Sequence, residues 1–296
     1  MRTSLGWGTV AVGSLVALGL IAPSGLALLA FLAVVIGIHE GGHFLVARGR
    51  GILPTEFYWG FGPEVVSVVR GRTRYGLRVA FIGGYVNLPG MTPSSPRPDG
   101  VAEAETYRAA RPRDRLATVV AGPAANLVTA AAAFALARVF DGGSWFHSLA
   151  GGVGDVAGVA TETLRALGVW VTHLWSYLAA VFDVSGSTTV PVRFMSPVAQ
   201  AQVSAEAVEL GPGAMLRWFA ILSSAVGLVN LLPLPPLDGG HAVTALADGL
   251  LGRFAAPGRP RRPLDLSRLA PVAYLTAAGL LVISAGALVL DLRSLG

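Results

Sequence analysis

The sequence predicts a polytopic α-helical membrane protein with about five transmembrane helices, an interfacial helix and a small membrane-associated β-hairpin or sheet. Three observations predict it. Of the 296 residues, 53% are hydrophobic and only 13% charged, with a mean hydropathy of +0.62; that composition lies outside the soluble globular range. Apolar runs of about 20 residues, the length that crosses the hydrocarbon layer, recur along the chain. Between them lie connections rich in Gly, Pro and Arg.

The elements follow in order, as parts of a single domain over residues 1–296. Residues 1–24 carry a first span (5–21), ended by Pro23-Ser24-Gly25. It opens on Met1-Arg2 like a signal peptide, but its apolar region is long, which favours an uncleaved anchor. Residues 25–47 form the second span, free of charge from Leu26 to Ile38. Residues 48–100 read as a cytoplasmic-side β-region and loop. Alternation at Val65-Val66-Ser67-Val68-Val69-Arg70 is followed by a turn at Gly71-Arg72 and a second extended run through Tyr75 to Phe81. Ile82-Gly83-Gly84-Tyr85-Val86 is a further extended piece, and residues 92–100 are a loop. Residues 112–140 are a span containing Ala121-Gly122-Pro123-Ala124-Ala125-Asn126. Its small residues allow close helix approach, and Asn126 can hydrogen-bond across helices. Residues 141–213 are an external segment. A Gly-rich connection over 141–158 leads to an aromatic helix over 159–182, with Trp170, His173, Trp175 and Tyr177, which suits the membrane interface. Residues 214–252 hold another span and a Pro-rich motif, 253–268 a basic loop, and 269–291 the last span.

There is no Cys, so disulfides and thiolate ligands are excluded, and any transition-metal site must use His and carboxylate. All 22 basic residues are Arg. Eleven fall between Arg48 and Arg115 and five between Arg253 and Arg268. By the positive-inside rule these two segments and the N-terminus are cytoplasmic, in a multi-pass protein of the cell membrane. The net charge of +5 therefore reads as topology and not as a nucleic-acid footprint.

The chemistry is carried by His39-Glu40-Gly41-Gly42-His43. On a helix His39 and His43, at i and i+4, share a face and can bind one metal ion, with Glu40 placed to act as general base on water. Ionisable groups at membrane depth cost roughly 2.5–3.5 kcal/mol each on insertion scales, which a bound cation would offset. A catalytic zinc usually has three protein ligands. The candidates for the third are Asp238, His241, His147 and His173. Asp238 fits best, because it lies in a Pro-rich break beside a span; its other reading is a helix N-cap. His241 either tunes the site from outside or faces the interface. Since 230–238 closes an outside-to-inside span, it arrives at the same depth as the two imidazoles.

The chain resembles the site-2 proteases, the intramembrane zinc metalloproteases of peptidase family M50. The resemblance rests on His39-Glu40-Gly41-Gly42-His43 and on the stretch from Asn230 through Pro233, Leu237, Asp238 and Gly239 to His241, which is similar to the family's N-x-x-P-x-x-x-L-D-G motif. It extends to Gly60-Phe61-Gly62-Pro63, Gly83-Gly84-Tyr85, Gly90-Met91-Thr92-Pro93 and Ala121 to Asn126. It implies one Zn²⁺ held by His39, His43 and Asp238, with Glu40 as catalytic base. Asn230 would hold substrate or polarise the scissile carbonyl, and Gly83, Gly84, Tyr85 and Val86 would lie beside the substrate. The implied activity is hydrolysis of peptide bonds in or near transmembrane segments. Implied substrates are single-span proteins of the anti-sigma-factor kind or signal-peptide remnants, within a lipid bilayer. Bacterial relatives carry PDZ domains between the third span and the Asn230 span. Here that interval is about 70 residues, short for such a domain, so no PDZ domain is expected. Two other readings fit less well. No helix supplying a downstream Glu ligand follows residue 43, and the two His-bearing motifs are not the inverted copies that a transporter would favour.

Overall fold

The computed structural model describes residues 23–92, 97–183, 195–253 and 269–294. The first predicted span and nearly all of the basic loop lie outside the described residues. The elements are α1 (Pro23–Gly49), β1 (Glu56–Arg70), β2 (Thr73–Asn87), two short 3-10 turns (Glu103–Glu105, Tyr107–Ala109), α2 (Pro112–Phe140), α3 (Trp145–Thr172), α4 (Leu174–Phe182), α5 (Pro197–Glu209), α6 (Pro212–Asn230), α7 (Asp238–Arg253) and α8 (Ala270–Ser294). Among the described residues four helices, α1, α2, α6 and α8, are long and apolar enough to cross a membrane. Three of the four open on Pro. At the first helical position the missing N–H would be unpaired anyway, so Pro marks the start without cost.

The chain divides into two compact units. The first takes the described residues of Leu32–Leu127 and Val226–Tyr274. Its core gathers Ala47, Ile52, Leu88, Tyr107 and Val119, with Val86, Met91, Val120 and Ala242 packed around them. β1 and β2 form an antiparallel sheet bent back on itself. Next to the Gly71-Arg72 turn, Val66 to Arg70 pair with Leu77 to Thr73. Farther out, Glu56 to Trp59 face both Arg74 to Leu77 and Asn87 to Gly84. Residues 84–87 therefore have one strand neighbour and form an edge. The second arm of the predicted hairpin and its extension over 82–86 are thus one continuous β2, while the first arm is the end of β1.

This sheet does not stop at the end of α1. Phe44 meets Phe57 edge-on at 5.6 Å, and Phe57 meets Trp59 at 5.7 Å. The Trp59 indole N–H donates to the Ala33 carbonyl at 3.2 Å, and a Cβ at Gly37 would lie 2.4 Å from its ring. The β-region flanks the apolar turns of α1.

The second unit takes the described residues of Leu18–Phe31, Val128–Ala225 and Leu275–Gly296. Ala130, Ala133, Phe134 and Ala220 form its core, with Val156, Val159, Leu216 and Phe219 against them. Here one expectation is overturned. The Gly-rich stretch 141–158 is not a loop, since α3 starts at Trp145 and runs unbroken to Thr172. Three of its glycines, Gly143, Gly151 and Gly152, serve contact: a Cβ at Gly152 would lie 2.3 Å from the Ala131 carbonyl oxygen. Arg138 clamps Asp155 through two bonds of 2.7 Å across the same α2–α3 seam. The aromatic helix expected over 159–182 is the second half of α3 plus α4, broken at His173. α4 docks on α8 through the Tyr177 hydroxyl, which donates to the Ile283 carbonyl at 2.8 Å. Among the described residues, the regular elements between α2 and α6 are all helices.

Candidate metal centre

α1 is apolar through its first turns and strong in helix formers, and it carries His39, Glu40 and His43 in its second half. The i, i+4 spacing puts both imidazoles on one face, with ring centres 4.8 Å apart and planes at 83°. Both are buried, at 6% and 8% exposure. Asp238 comes from 199 residues downstream, as the first residue of α7. Between α6 and α7 the chain turns sharply, held by Leu231 to Gly227, Leu234 to Leu232 and Leu237 to Leu234 backbone bonds. Gly239 sits so close under this turn that a Cβ would lie 2.1 Å from the Leu232 carbonyl oxygen. The helix start and the cluster are thus the same place, with Asp238 at the first helical position and its carboxylate turned to the two imidazoles.

The three side chains converge. His39 Nε2 and Asp238 Oδ2 are 3.0 Å apart, His43 Nε2 and the same oxygen 3.2 Å, and the two imidazole Nε2 atoms 3.2 Å. Tetrahedral ligands held about 2.0–2.1 Å from zinc stand about 3.3 Å from one another. Two imidazoles and one carboxylate, all aimed at one point, are a donor set of the right kind and spacing for that ion. Among the described residues this is the group able to hold a metal.

The outer nitrogens are also occupied. His43 Nδ1 donates to the Thr118 carbonyl of α2 at 2.8 Å, which leaves Nε2 bare for a metal. His39 Nδ1 faces the Asn126 amide at 3.3 Å, and Asn126 is fully buried. Sequence reasoning read Asn126 as an inter-helix hydrogen bonder without finding its partner. It did not find Thr118 at all, because any residue carries a carbonyl. α1 and α2 reach this closeness through glycine. A Cβ at Gly42 would lie 2.5 Å from the Ala121 carbonyl oxygen, and one at Gly122 would lie 2.3 Å from His43 Nε2. Pro123 lacks the N–H that would pair with Val119, so one rung of the α2 ladder is missing beside Thr118.

Glu40 lies next to the cluster against the end of β2. The Val86 backbone N–H faces its carboxylate, and a Cβ at Gly84 would lie 3.4 Å from Glu40 Cγ. Tyr85 turns its ring to the other side, stacking on Tyr58 and donating to Glu56 at 2.8 Å; burial, then this bond, pushes its phenol up to about 12. Gly83 packs against Phe61. Asn230 ends α6 with its amide donated to the Val226 carbonyl at 2.9 Å, a bond within its own helix. His241 lies one turn into α7, within electrostatic reach of Asp238 and His43, and burial pushes its imidazole down. His147 and His173 are exposed and bonded locally, to Ser144 and to the Val169 carbonyl.

Two buried imidazoles on a membrane-length helix, met by a partly buried aspartate from α7 and with a second carboxylate beside them, define a membrane metalloprotease. The chain belongs to peptidase family M50, whose model matches residues 27–258. It is similar to a candidate zinc metalloprotease of Agrobacterium fabrum, 25% identical over 77% of this chain and 86% of the relative. A candidate zinc metalloprotease of Brucella suis is 28% identical over 75% of this chain and 84% of its own length. The zinc metalloprotease Rip1 of Mycobacterium tuberculosis is 36% identical over a shorter stretch, 31% of this chain and 22% of Rip1. The Agrobacterium alignment runs to 329 positions, more than this chain has residues, so that relative carries segments with no counterpart here. The protein is a zinc metalloendopeptidase of site-2 protease type, set in a membrane.

Proposed function

We propose that the protein cleaves other membrane proteins within or next to a transmembrane segment, with His39, His43 and Asp238 as zinc ligands and Glu40 as general base. The observation that carries this reading is the position of the cluster. Its two imidazoles sit on a helix of membrane length, after a charge-free run from Leu26 to Ile38. A soluble substrate would have no reason to reach it, whereas a single-span membrane protein already lies at that depth. Substrates of the anti-sigma-factor kind and signal-peptide remnants fit this description.

Zinc, when bound, supplies the Lewis acid for carbonyl and water. Glu40 takes a proton from the attacking water and returns it to the leaving amine nitrogen as the C–N bond breaks. Thr118 and Asn126 hold the imidazoles in the orientation and tautomer that point Nε2 inward. Asn230 is assigned to substrate binding or to the developing oxyanion. Its amide is spent on Val226 in the present arrangement, so that role requires a rotamer change on substrate entry.

A helical substrate hides its amides and must unwind to be cut. The one-sided edge of β2 at Gly83, Gly84, Tyr85 and Val86 supports a partner for the unwound strand, because Gly84 runs directly over Glu40. Pairing there offsets the cost of unwinding and presents the bond to the base. Orientation with 48–100 and 253–268 in the cytoplasm, in the cell membrane, completes the proposal.

The test is cleavage of candidate single-span proteins by the purified chain, with product masses to locate the cut. Glu40→Gln is expected to abolish cleavage while one zinc per chain stays bound. Chelation is expected to stop the wild type, and added zinc to restore it. Retained cleavage by Glu40→Gln would rule out the assigned base.

A further inference from the structure

α2 meets the candidate centre along one stripe. Arg115, Thr118, Gly122 and Asn126 are spaced 3, 4 and 4 residues apart, so they return to one face of the helix. Three of the four touch an imidazole: Thr118 through its carbonyl, Gly122 by leaving room for the His43 ring, and Asn126 opposite His39. Arg115 reaches elsewhere. Its Nη2 holds Asp248 Oδ2 at 2.5 Å, with both side chains nearly buried at 6% and 12% exposure. Tyr107 lies over the guanidinium, its ring centre 5.8 Å from Cζ. Asp248 stands on α7, ten residues beyond Asp238, which is about 15 Å along that helix.

We propose that Arg115–Asp248 is a positioning pair, which sets the lie of α7 on α2 and so brings Asp238 to His39 and His43. One helix, α2, then governs all three ligand arms.

The rest of α7 cannot do this alone. Its inward residues Ala242, Ala245 and Gly249 are small. Such a stripe packs closely but resists sliding and rolling weakly. Its outward residues Val243, Leu246, Leu250 and Leu251 are about half exposed, and an apolar surface has no preferred register. A buried ion pair is directional. Slipping it leaves two charges unpaired, and fixing register is the best-attested use of such pairs. Asp238 heads the helix just after a turn, so an error at the far end is passed to the ligand oxygen.

The inference rests on the ligand assignment above, and the experiment separates the two. The full chain in detergent is compared as wild type, Asp248→Asn and Arg115→Lys. Zinc affinity is read by chelator competition, ligand geometry by the visible absorption of cobalt(II) in place of zinc, and packing by thermal unfolding of the metal-free forms. Asp248→Asn is expected to bind zinc about 10–100-fold more weakly and to shift the cobalt bands. If the wild type holds no zinc, the ligand assignment fails. If the wild type holds one zinc and Asp248→Asn binds it equally, with unshifted cobalt bands, the positioning role alone is wrong. That holds even when the metal-free variant unfolds at lower temperature, for the pair then only braces the fold. Should Asp248→Asn not fold, Arg115→Lys decides, because it keeps the charge and loses the guanidinium fork. Weaker zinc binding with unchanged metal-free unfolding supports the proposal, and wild-type affinity overturns it.

Discussion

An imidazole in the middle of an apolar helix is tolerable only if both its nitrogens are used. For His43 the inner nitrogen faces Asp238 and the outer one donates to the Thr118 carbonyl. For His39 the outer nitrogen meets Asn126, whose amide can turn its oxygen to accept from a protonated Nδ1. Replacing Asn126 with Leu keeps the volume and removes that acceptor. Zinc affinity is expected to fall about 10–100-fold, roughly 1.4–2.8 kcal/mol, as measured by chelator competition on the folded protein. Unchanged affinity would mean that the His39 tautomer is set without Asn126. At this scale the sequence was legible wherever chemistry is tied to a residue type. The pair His39 and His43, with Glu40 between, declares itself by spacing, and Asp238 by its Pro- and Gly-flanked surroundings. Thr118 was not legible, because its contribution is a backbone carbonyl. Asn230 shows the limit in the other direction, for a motif position suggests a role while its amide is turned into its own helix.

Between elements, the same residue type did opposite work in different places. Gly71 turns the hairpin, with φ at +63°. Gly151 and Gly152 instead lie inside α3, and Gly152 seats that helix on Ala131. Composition alone could not separate a glycine that bends a chain from one that lets two helices touch, and this is why 141–158 was misread as a connection. The hairpin tip has a further anchor that no motif announced. Arg72 donates to both Glu105 oxygens at 2.6 and 2.9 Å and to the Gly100 carbonyl at 2.6 Å. The Arg72 guanidinium, with the Ala102 N–H, brings the Glu105 carboxyl down to about 2 from an ordinary 4.5. A carboxyl that is more acidic when folded contributes fully above its unfolded value and loses its contribution as the pH falls through the folded one. The tip is therefore expected to loosen between pH 4.5 and 2, and not on the alkaline side. A nitroxide on Arg70→Cys should gain mobility over that acid interval, and the same label in a Glu105→Gln background should be mobile throughout and indifferent to pH.

For the whole molecule, the meeting of His39 with Asp238 constrains how the chain threads the bilayer. His39 lies in the second half of α1, and Asp238 follows the turn that ends α6. The 3.0 Å contact between them puts His39 and the turn after α6 at one depth. The distribution of Arg assigns both ends to the cytoplasm. Which side is which still rests on charge alone, and it is directly testable, because the chain has no Cys and each introduced thiol is the sole one. Asp99→Cys reports on the segment between β2 and α2, and Ser144→Cys on the turn between α2 and α3; both positions are exposed. In intact bacterial cells a membrane-impermeant maleimide is expected to label Ser144→Cys and to spare Asp99→Cys until the cells are opened. The reverse pattern would put the centre near the opposite leaflet, and the eleven Arg between 48 and 115 would then need an explanation other than topology. Equal labelling of both in intact cells would mean that α2 does not cross the membrane at all, and a protease working at membrane depth would have to be abandoned with it.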